Sequence, residues 1–202
     1  MPNPSVLVLF IAAALIATDG SAQARFNNAT AGISLTPPNG WQVMSIQDVM
    51  DNRAKVRLPD DQLTAALQRA TAPLFVFSKY PASYAALNPT LQVVLRPLPP
   101  SLGQSPTAIL KTTLATLQQA FPDFMLVDPI RATTVSGFPA AYMKASYTLR
   151  TGRGTAYPVL ARTWVVPRGT VMFLIGMSGT LTGEDVAEAE FLSALQSIQI
   201  ER

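Results

Sequence analysis

The chain has 202 residues, of which 49% are hydrophobic and only 13% are charged, and its formal net charge is +3. This composition excludes a disordered chain and, because the basic residues are scattered, a nucleic-acid binder with a phosphate-tracking stripe. The absence of Cys and His excludes disulfides, Ser-His-Asp triads, Cys-His dyads and metal or haem sites built on thiolate or imidazole. The enzyme chemistry left open uses carboxylate pairs, a Ser-Lys dyad or oxygen-only metal sites.

The chain opens with an uninterrupted apolar stretch over residues 6–17. A polar break and an A-x-A pattern ending at Ala24 follow it, as is typical of a cleaved secretory signal. The stretch is shorter than the roughly 20 residues of a membrane-spanning helix. We therefore predict a signal peptide over 1–24, a single domain over 25–202, and a periplasmic or secreted location. A retained interfacial anchor stays open, because no Lys or Arg precedes the stretch.

Short elements follow in the first part of the domain. Ile33 and Leu35 alternate with polar residues, which predicts a strand. A Pro-Pro-Asn-Gly turn separates this strand from Trp41, which we expect to fill the core rather than to bind a ligand. Helices are predicted over about 46–54 and 60–71, because each follows a good N-cap residue and has an apolar stripe at helical spacing.

Two buried strands and a longer helix are predicted in the middle of the chain. The strands are continuous apolar runs over 74–77 and 91–95, joined by a loop. Residues 97–106 are rich in Pro and Gly and form either a long surface loop or a linker. Ser105 then caps a helix that runs to about residue 120, with a clean amphipathic stripe.

The hydrophobic period switches to two after residue 124, which indicates a β-meander. The segment 151–155, with two glycines, is typical of a hairpin loop. A last helix begins at a Thr182 cap and ends near Ser197. The predicted strands of the meander cover residues 124–127, 130–135, 141–150, 157–166 and 171–177.

This order of elements predicts an α+β fold in which helices pack on the faces of an antiparallel sheet. Three segments resemble the PsbP/Mog-like superfamily: the strand and Pro-x-Gly-Trp turn over 32–41, the turn over 135–140, and the terminal helix and tail over 191–200. The resemblance implies an α/β/α sandwich, and most members of that superfamily act by binding other proteins. It carries over no catalytic residue.

The predicted hairpin holds the candidate binding residues. If its register is symmetric, Tyr142, Lys144, Arg162 and Trp164 share one face, and we call this set the hairpin-face cluster. Aromatic rings beside cations often recognise anionic or protein partners. The alternative is a solvated sheet face that is partly covered by Lys and Arg stems.

A second candidate lies at the hairpin tip. Arg150, Arg153 and the backbone N–H groups of Gly152 and Gly154 have the composition of an anion cradle. The alternative is a plain glycine turn.

We therefore expect an exported, non-enzymatic accessory module that engages a protein partner in the cell envelope. It is expected to use no cofactor, to bind no nucleic acid and to have no stable membrane insertion after signal cleavage. One alternative is a binder of a small anionic ligand or envelope polymer through the hairpin-face cluster. A second alternative is a carboxylate-based hydrolase. The sequence identifies neither the partner nor the oligomeric state.

Overall fold

The computed structural model describes residues 24–81, 84, 86–180 and 184–201. Nearly all of the predicted signal peptide and the predicted Thr182 cap lie outside these residues. The described residues form two antiparallel sheets and the helices that pack on them.

The larger sheet is eight-stranded. Its strands are β3 (Gln42–Val43), β4 (Val56–Arg57), β5 (Phe75–Ser78), β6 (Thr90–Pro97), β7 (Met125–Val135), β8 (Phe138–Thr151), β9 (Ala156–Arg168) and β10 (Val171–Thr180). Their order is β3-β5-β6-β10-β9-β8-β4, and β7 pairs with the other part of β8. The period-two pattern predicted from residue 124 onward thus forms the centre and one edge of this sheet.

A smaller sheet brings the two ends of the described chain together. Its strands are β1 (Phe26–Asn28), β2 (Ile33–Leu35) and β11 (Gln199–Ile200), in the order β1-β2-β11. The sequence predicted the second of these strands, but not the antiparallel pairing of that strand with the C-terminal tail.

The helices of the described residues are α1 (Ile46–Lys55), α2 (Asp61–Gln68), α3 (Pro106–Ala120) and α4 (Glu184–Ser197). The first three begin directly after the residue that the sequence predicts as their N-cap. The side chains of Ser45, Asp60 and Ser105 each accept a hydrogen bond from the backbone N–H three residues on, which satisfies an otherwise unpaired donor at the helix start. No helix in the described part of the chain is long and apolar enough to cross a membrane.

The larger sheet separates two apolar cores. On one face, α2 and α3 pack through Leu67 and Leu110 against strand residues such as Met143. On the other face, α4 and the smaller sheet pack through Phe191 and Ile33. An α+β fold with helices on the faces of an antiparallel sheet is therefore confirmed. Trp41 is buried in the second core, as predicted.

One strand differs from the sequence prediction. Residues 124–127 and 130–135 were expected to form two strands, but β7 is a single strand of 11 residues that includes Pro129. Register shifts flank Asp128 in its pairing with β8, so the irregular residues bulge without ending the strand. Proline is tolerated at such positions because it costs no ladder hydrogen bond there.

Candidate functional site

The hairpin-face cluster lies on one face of the sheet, as the predicted symmetric register requires. Tyr142 pairs directly with Trp164, and Lys144 pairs directly with Arg162. The rings of Tyr142 and Trp164 are 4.8 Å apart between centroids, at an angle of 45°. The register of the β8–β9 hairpin therefore brings all four side chains together.

The expectation that this face is solvated is wrong. Only 3% of Arg162 and 5% each of Tyr142 and Trp164 are exposed, and Lys144 is half-buried. The cover comes from α4: the Glu188 carboxylate forms an ion pair with the Arg162 guanidinium. The same guanidinium lies 5.4 Å from the centre of the Phe191 ring. A helix distant in sequence thus turns a face with polar alternation into part of the second core.

The edge strand covers the other side of the cluster. The Tyr142 hydroxyl donates a hydrogen bond to Asp128 Oδ2 on β7, at 3.2 Å, and the Arg131 guanidinium carbon lies 4.6 Å from the centre of the Tyr142 ring. Burial, together with the charge and hydrogen bond of Asp128, raises the pKa of Tyr142 to about 12. The Tyr142 hydroxyl is therefore protonated at neutral pH, and its proton is donated to Asp128. Whether the hairpin-face cluster binds a ligand or partner stays a prediction.

The outer side of β7 lies at an edge of the sheet that the described residues form. Within them, β7 pairs with β8 alone. Three consecutive apolar side chains at its start are exposed: Met125 by 65%, Leu126 by 39% and Val127 by 47%. An open strand edge presents backbone N–H and C=O groups to any chain that can pair with it. This surface was not predicted from the sequence, although the Met-Leu-Val run was its visible indication.

A pocket of about 370 Å³ lies at the far end of β8, near the hairpin tip. Its lining includes Arg57 of β4, Asp123 of the segment before β7, and Arg150 of β8. Volumes of about 300–1,000 Å³ are typical of small-molecule sites. Arg150 was a candidate from the sequence, but Arg57 was not, because no local pattern indicates that β4 lies beside β8.

At the hairpin tip the structure favours the plain glycine turn over the anion cradle. The Gly152 N–H donates to the backbone oxygen of Lys55 at 2.9 Å, and the Gly154 N–H donates to that of Thr151 at 2.9 Å. Both donors are therefore occupied. The Gly152 bond ties the hairpin tip to the end of α1.

The described carboxylates are held by different partners. Asp60 caps α2, Asp128 accepts from Tyr142, and Glu188 pairs with Arg162. In the described residues, no three or more acidic side chains are grouped as a metal ion would require.

No family model and no curated protein matches the sequence, but solved structures match the fold. LpqN of Mycobacterium tuberculosis, described as involved in cell envelope biogenesis, has a TM-score of 0.53 and 18% identity, covering 84% of this chain and 83% of that chain. Cyanobacterial PsbP of Synechocystis has a TM-score of 0.53 and 14% identity, covering 92% and 97%. A Pseudomonas aeruginosa protein of unknown function, titled a putative regulator, has a TM-score of 0.50 and 16% identity, covering 89% and 96%. The fold is therefore PsbP/Mog-like, as the sequence resemblance implied.

Proposed function

We propose that this protein is an exported, non-enzymatic accessory module that engages a protein partner in the cell envelope. The single observation that carries the proposal is the open edge of β7. The envelope role described for LpqN, together with the apolar stretch and A-x-A pattern at the start of this chain, supports an envelope location.

The β7 edge suits a partner that adds an extended segment to the sheet. Such strand addition takes its affinity from main-chain hydrogen bonds and its specificity from side chains beside the edge. The exposed Met125, Leu126 and Val127 offer apolar contacts at one end. We therefore infer that the partner contributes an extended segment with apolar residues that meet this end of β7.

The hairpin register predicts which backbone groups face the partner. Ser136 and Gly137 both have positive φ, 51° and 76°, so a two-residue primed turn joins β7 to β8. In such a hairpin the flanking pair, Val135 and Phe138, exchanges hydrogen bonds, and the pairs then alternate along the strands. Ala132 lies in a pair without hydrogen bonds, so its N–H points away from β8.

The hairpin-face cluster supports the edge in this proposal. Tyr142 holds Asp128 and packs under Arg131, both on β7, and Trp164 packs against Tyr142 from β9. Lys144 is the neighbour of Asp128 in the strand register. Tyr142, Trp164 and Lys144 thus position the edge strand from behind, and Lys144 is the least buried of the three.

Site-specific photo-cross-linking in cells tests the proposal. A photoreactive residue at Leu126 or Thr134, on the β7 edge, is expected to capture one discrete envelope protein. The same residue at Lys111, an exposed position on α3, is the control and is expected to capture none.

A proline substitution then tests the mode of binding. Ala132→Pro removes one outward N–H and leaves the pairing with β8 intact, so the cross-link from Thr134 is expected to disappear while the melting temperature changes little. Ala132→Val keeps the N–H and serves as the matched control. Cross-links of equal yield from the edge and from Lys111, or a cross-link that survives Ala132→Pro, contradict binding by strand addition.

Export is tested separately, by mass spectrometry of the protein recovered from the cell envelope. A mature N-terminus at Arg25 supports cleavage after Ala24. An intact chain found in the cytoplasm contradicts the envelope location without bearing on the β7 edge.

A further inference from the structure

The pocket at the hairpin tip has a distinct charge pattern. Arg57 on β4 and Arg150 on β8 are direct partners in the strand register and both line the pocket. Because paired residues of adjacent strands point to the same side of a sheet, the two arginine side chains start from the same side of the sheet, and both reach the pocket. Like charges in this arrangement repel each other unless an anion lies nearby.

The lining of the pocket supplies negative charge for only one of the two arginines. Partial burial raises the pKa of Asp123, but the hydrogen bonds from Thr148 and the charge of Arg150 outweigh burial and lower the pKa overall. Asp123 is therefore ionised at neutral pH and offsets one of the two arginines. The Arg57 guanidinium donates to the backbone oxygens of Ala54 and Val56, which carry no formal charge. An excess of one positive charge remains at the pocket.

The rest of the lining is largely apolar. Leu58 and Phe121 are buried core residues whose surfaces reach the pocket, beside Pro59 and Pro122. Thr151 also lines the pocket, and within the described part of the chain its buried Oγ1 has no hydrogen-bond partner. Buried hydroxyl groups normally have a partner, so this one is a candidate donor to a ligand.

We propose that this pocket binds a small amphipathic carboxylate. The carboxylate lies between the guanidinium groups of Arg57 and Arg150, whose planar donors match its two oxygens. The apolar body of the ligand packs against Leu58 and Phe121. The single negative charge of the ligand balances the excess positive charge of the pocket. Its apolar body covers the apolar lining, which a free inorganic anion would leave exposed to water.

Calorimetric titration of the full chain with sodium octanoate tests this proposal. Saturable binding is expected, and Arg150→Gln is expected to weaken it by about tenfold, because a hydrogen bond to a charged group is lost. Arg153→Gln is the matched control, since it removes an exposed arginine of the same hairpin tip that does not line the pocket. Both arginines are exposed, and a thermal melt of each variant verifies that it is folded.

Two further ligands separate the contributions of charge and apolar body. Octanol has the body without the charge, and inorganic phosphate has charge without the body, so both are expected to bind at least about tenfold more weakly than octanoate. Equal binding of octanol, equal binding of phosphate, equal losses in both arginine variants, or no saturable binding of octanoate overturns the proposal. The test does not involve the β7 edge, so its failure and the failure of the proposed partner binding are distinguishable.

Discussion

The hydroxyl of Tyr142 donates a hydrogen bond to the carboxylate of Asp128 and so fastens the exposed edge strand β7 to its neighbour β8. Burial raises the pKa of this tyrosine to about 12, from an ordinary value of 10.0, and Asp128 adds to the rise. The contact therefore depends on the protonated hydroxyl. It couples the stability of the edge to pH in the alkaline range.

We expect the contribution of Tyr142 to stability to be constant below pH 10 and to be lost between pH 10 and about 12. Below pH 10 the tyrosine is protonated in both states. Above pH 10 the unfolded state releases the proton first and is stabilised by doing so, which lowers the free energy of unfolding. Tyr142→Phe lacks this titration. The stability advantage of the wild type over Tyr142→Phe, about 1 kcal/mol near pH 8 from the hydrogen bond, is thus expected to shrink toward pH 12.

Urea unfolding of both proteins at several pH values measures this difference. Burial also raises the pKa of Tyr147. Because Tyr147 and the lysines are present in both proteins, their titration cancels in the comparison. Stability curves that stay parallel from pH 8 to pH 12 contradict the assignment.

The ion pair between Arg162 and Glu188 predicts an asymmetric response to mutation. Glu188→Gln removes the carboxylate facing a guanidinium that is 3% exposed, while Glu188 itself is 35% exposed. Removing one partner of a fully buried pair costs about 3–5 kcal/mol, and the partial exposure of Glu188 reduces our expectation to about 2 kcal/mol.

The double variant Arg162→Met, Glu188→Gln is expected to be more stable than Glu188→Gln alone, because the buried charge is gone and the stem still packs on Phe191. Chemical unfolding of the variants as a double-mutant cycle measures the coupling. Strict additivity of the two changes contradicts a functional ion pair across β9 and α4.

Local patterns predicted the elements of this fold better than their surroundings. The alternation along residues 141–150 predicted β8, and the cap at Ser105 predicted the start of α3, because both depend on neighbours in the sequence. The same alternation suggested that Tyr142 and Trp164 face solvent. That inference failed because α4 and β7 cover them, and the packing of distant elements leaves no periodic pattern in the strand itself.

The candidate sites, too, could be predicted only where they depend on neighbours in the sequence. Arg150 was recognisable beside the glycines of the hairpin tip, but its partner Arg57 belongs to a strand of two residues that has too little length to show a period. The open edge of β7 follows from the sheet order, which is set by long-range pairing. Sequence therefore predicted that a polar hairpin exists, and only the three-dimensional arrangement identifies its edge and its pocket.

Ser136 predicts a specific order of stabilities among its variants. It has a positive φ of 51°, and its Oγ accepts a hydrogen bond from the N–H of Ile200 at 2.8 Å. Ser136→Ala keeps the backbone strain and loses the acceptor, at a cost of about 1–2 kcal/mol. Ser136→Gly also loses the acceptor but relieves the strain, so its stability is expected to lie between those of the alanine variant and the wild type. Thermal unfolding of the set checks this order, and a glycine variant less stable than the alanine variant contradicts it.

Arg53 and Arg96 are two cations that contact the same residue, Thr71. Arg53 donates to the backbone oxygens of Ala70 and Thr71, and Arg96 donates to Thr71 Oγ1 at 2.9 Å. Burial and then the charge of Arg96 lower the pKa of Arg53, and burial lowers that of Arg96. The buried Nε of Arg96 has no hydrogen-bond partner among the described residues.

These contacts predict opposite effects for the two arginines. Arg96→Gln removes the repulsion and an unsatisfied donor, and is expected to leave the free energy of unfolding unchanged or to raise it by up to about 1 kcal/mol. Arg53→Gln shortens the side chain away from two carbonyl oxygens and is expected to lower the free energy of unfolding by about 1–3 kcal/mol. Added NaCl is expected to stabilise the wild type more than Arg96→Gln, because salt screens the repulsion between like charges. Urea unfolding at low and high salt measures both effects, with the exposed Arg69→Gln as the control. A loss of stability in Arg96→Gln as large as that in Arg53→Gln contradicts a repulsive pair.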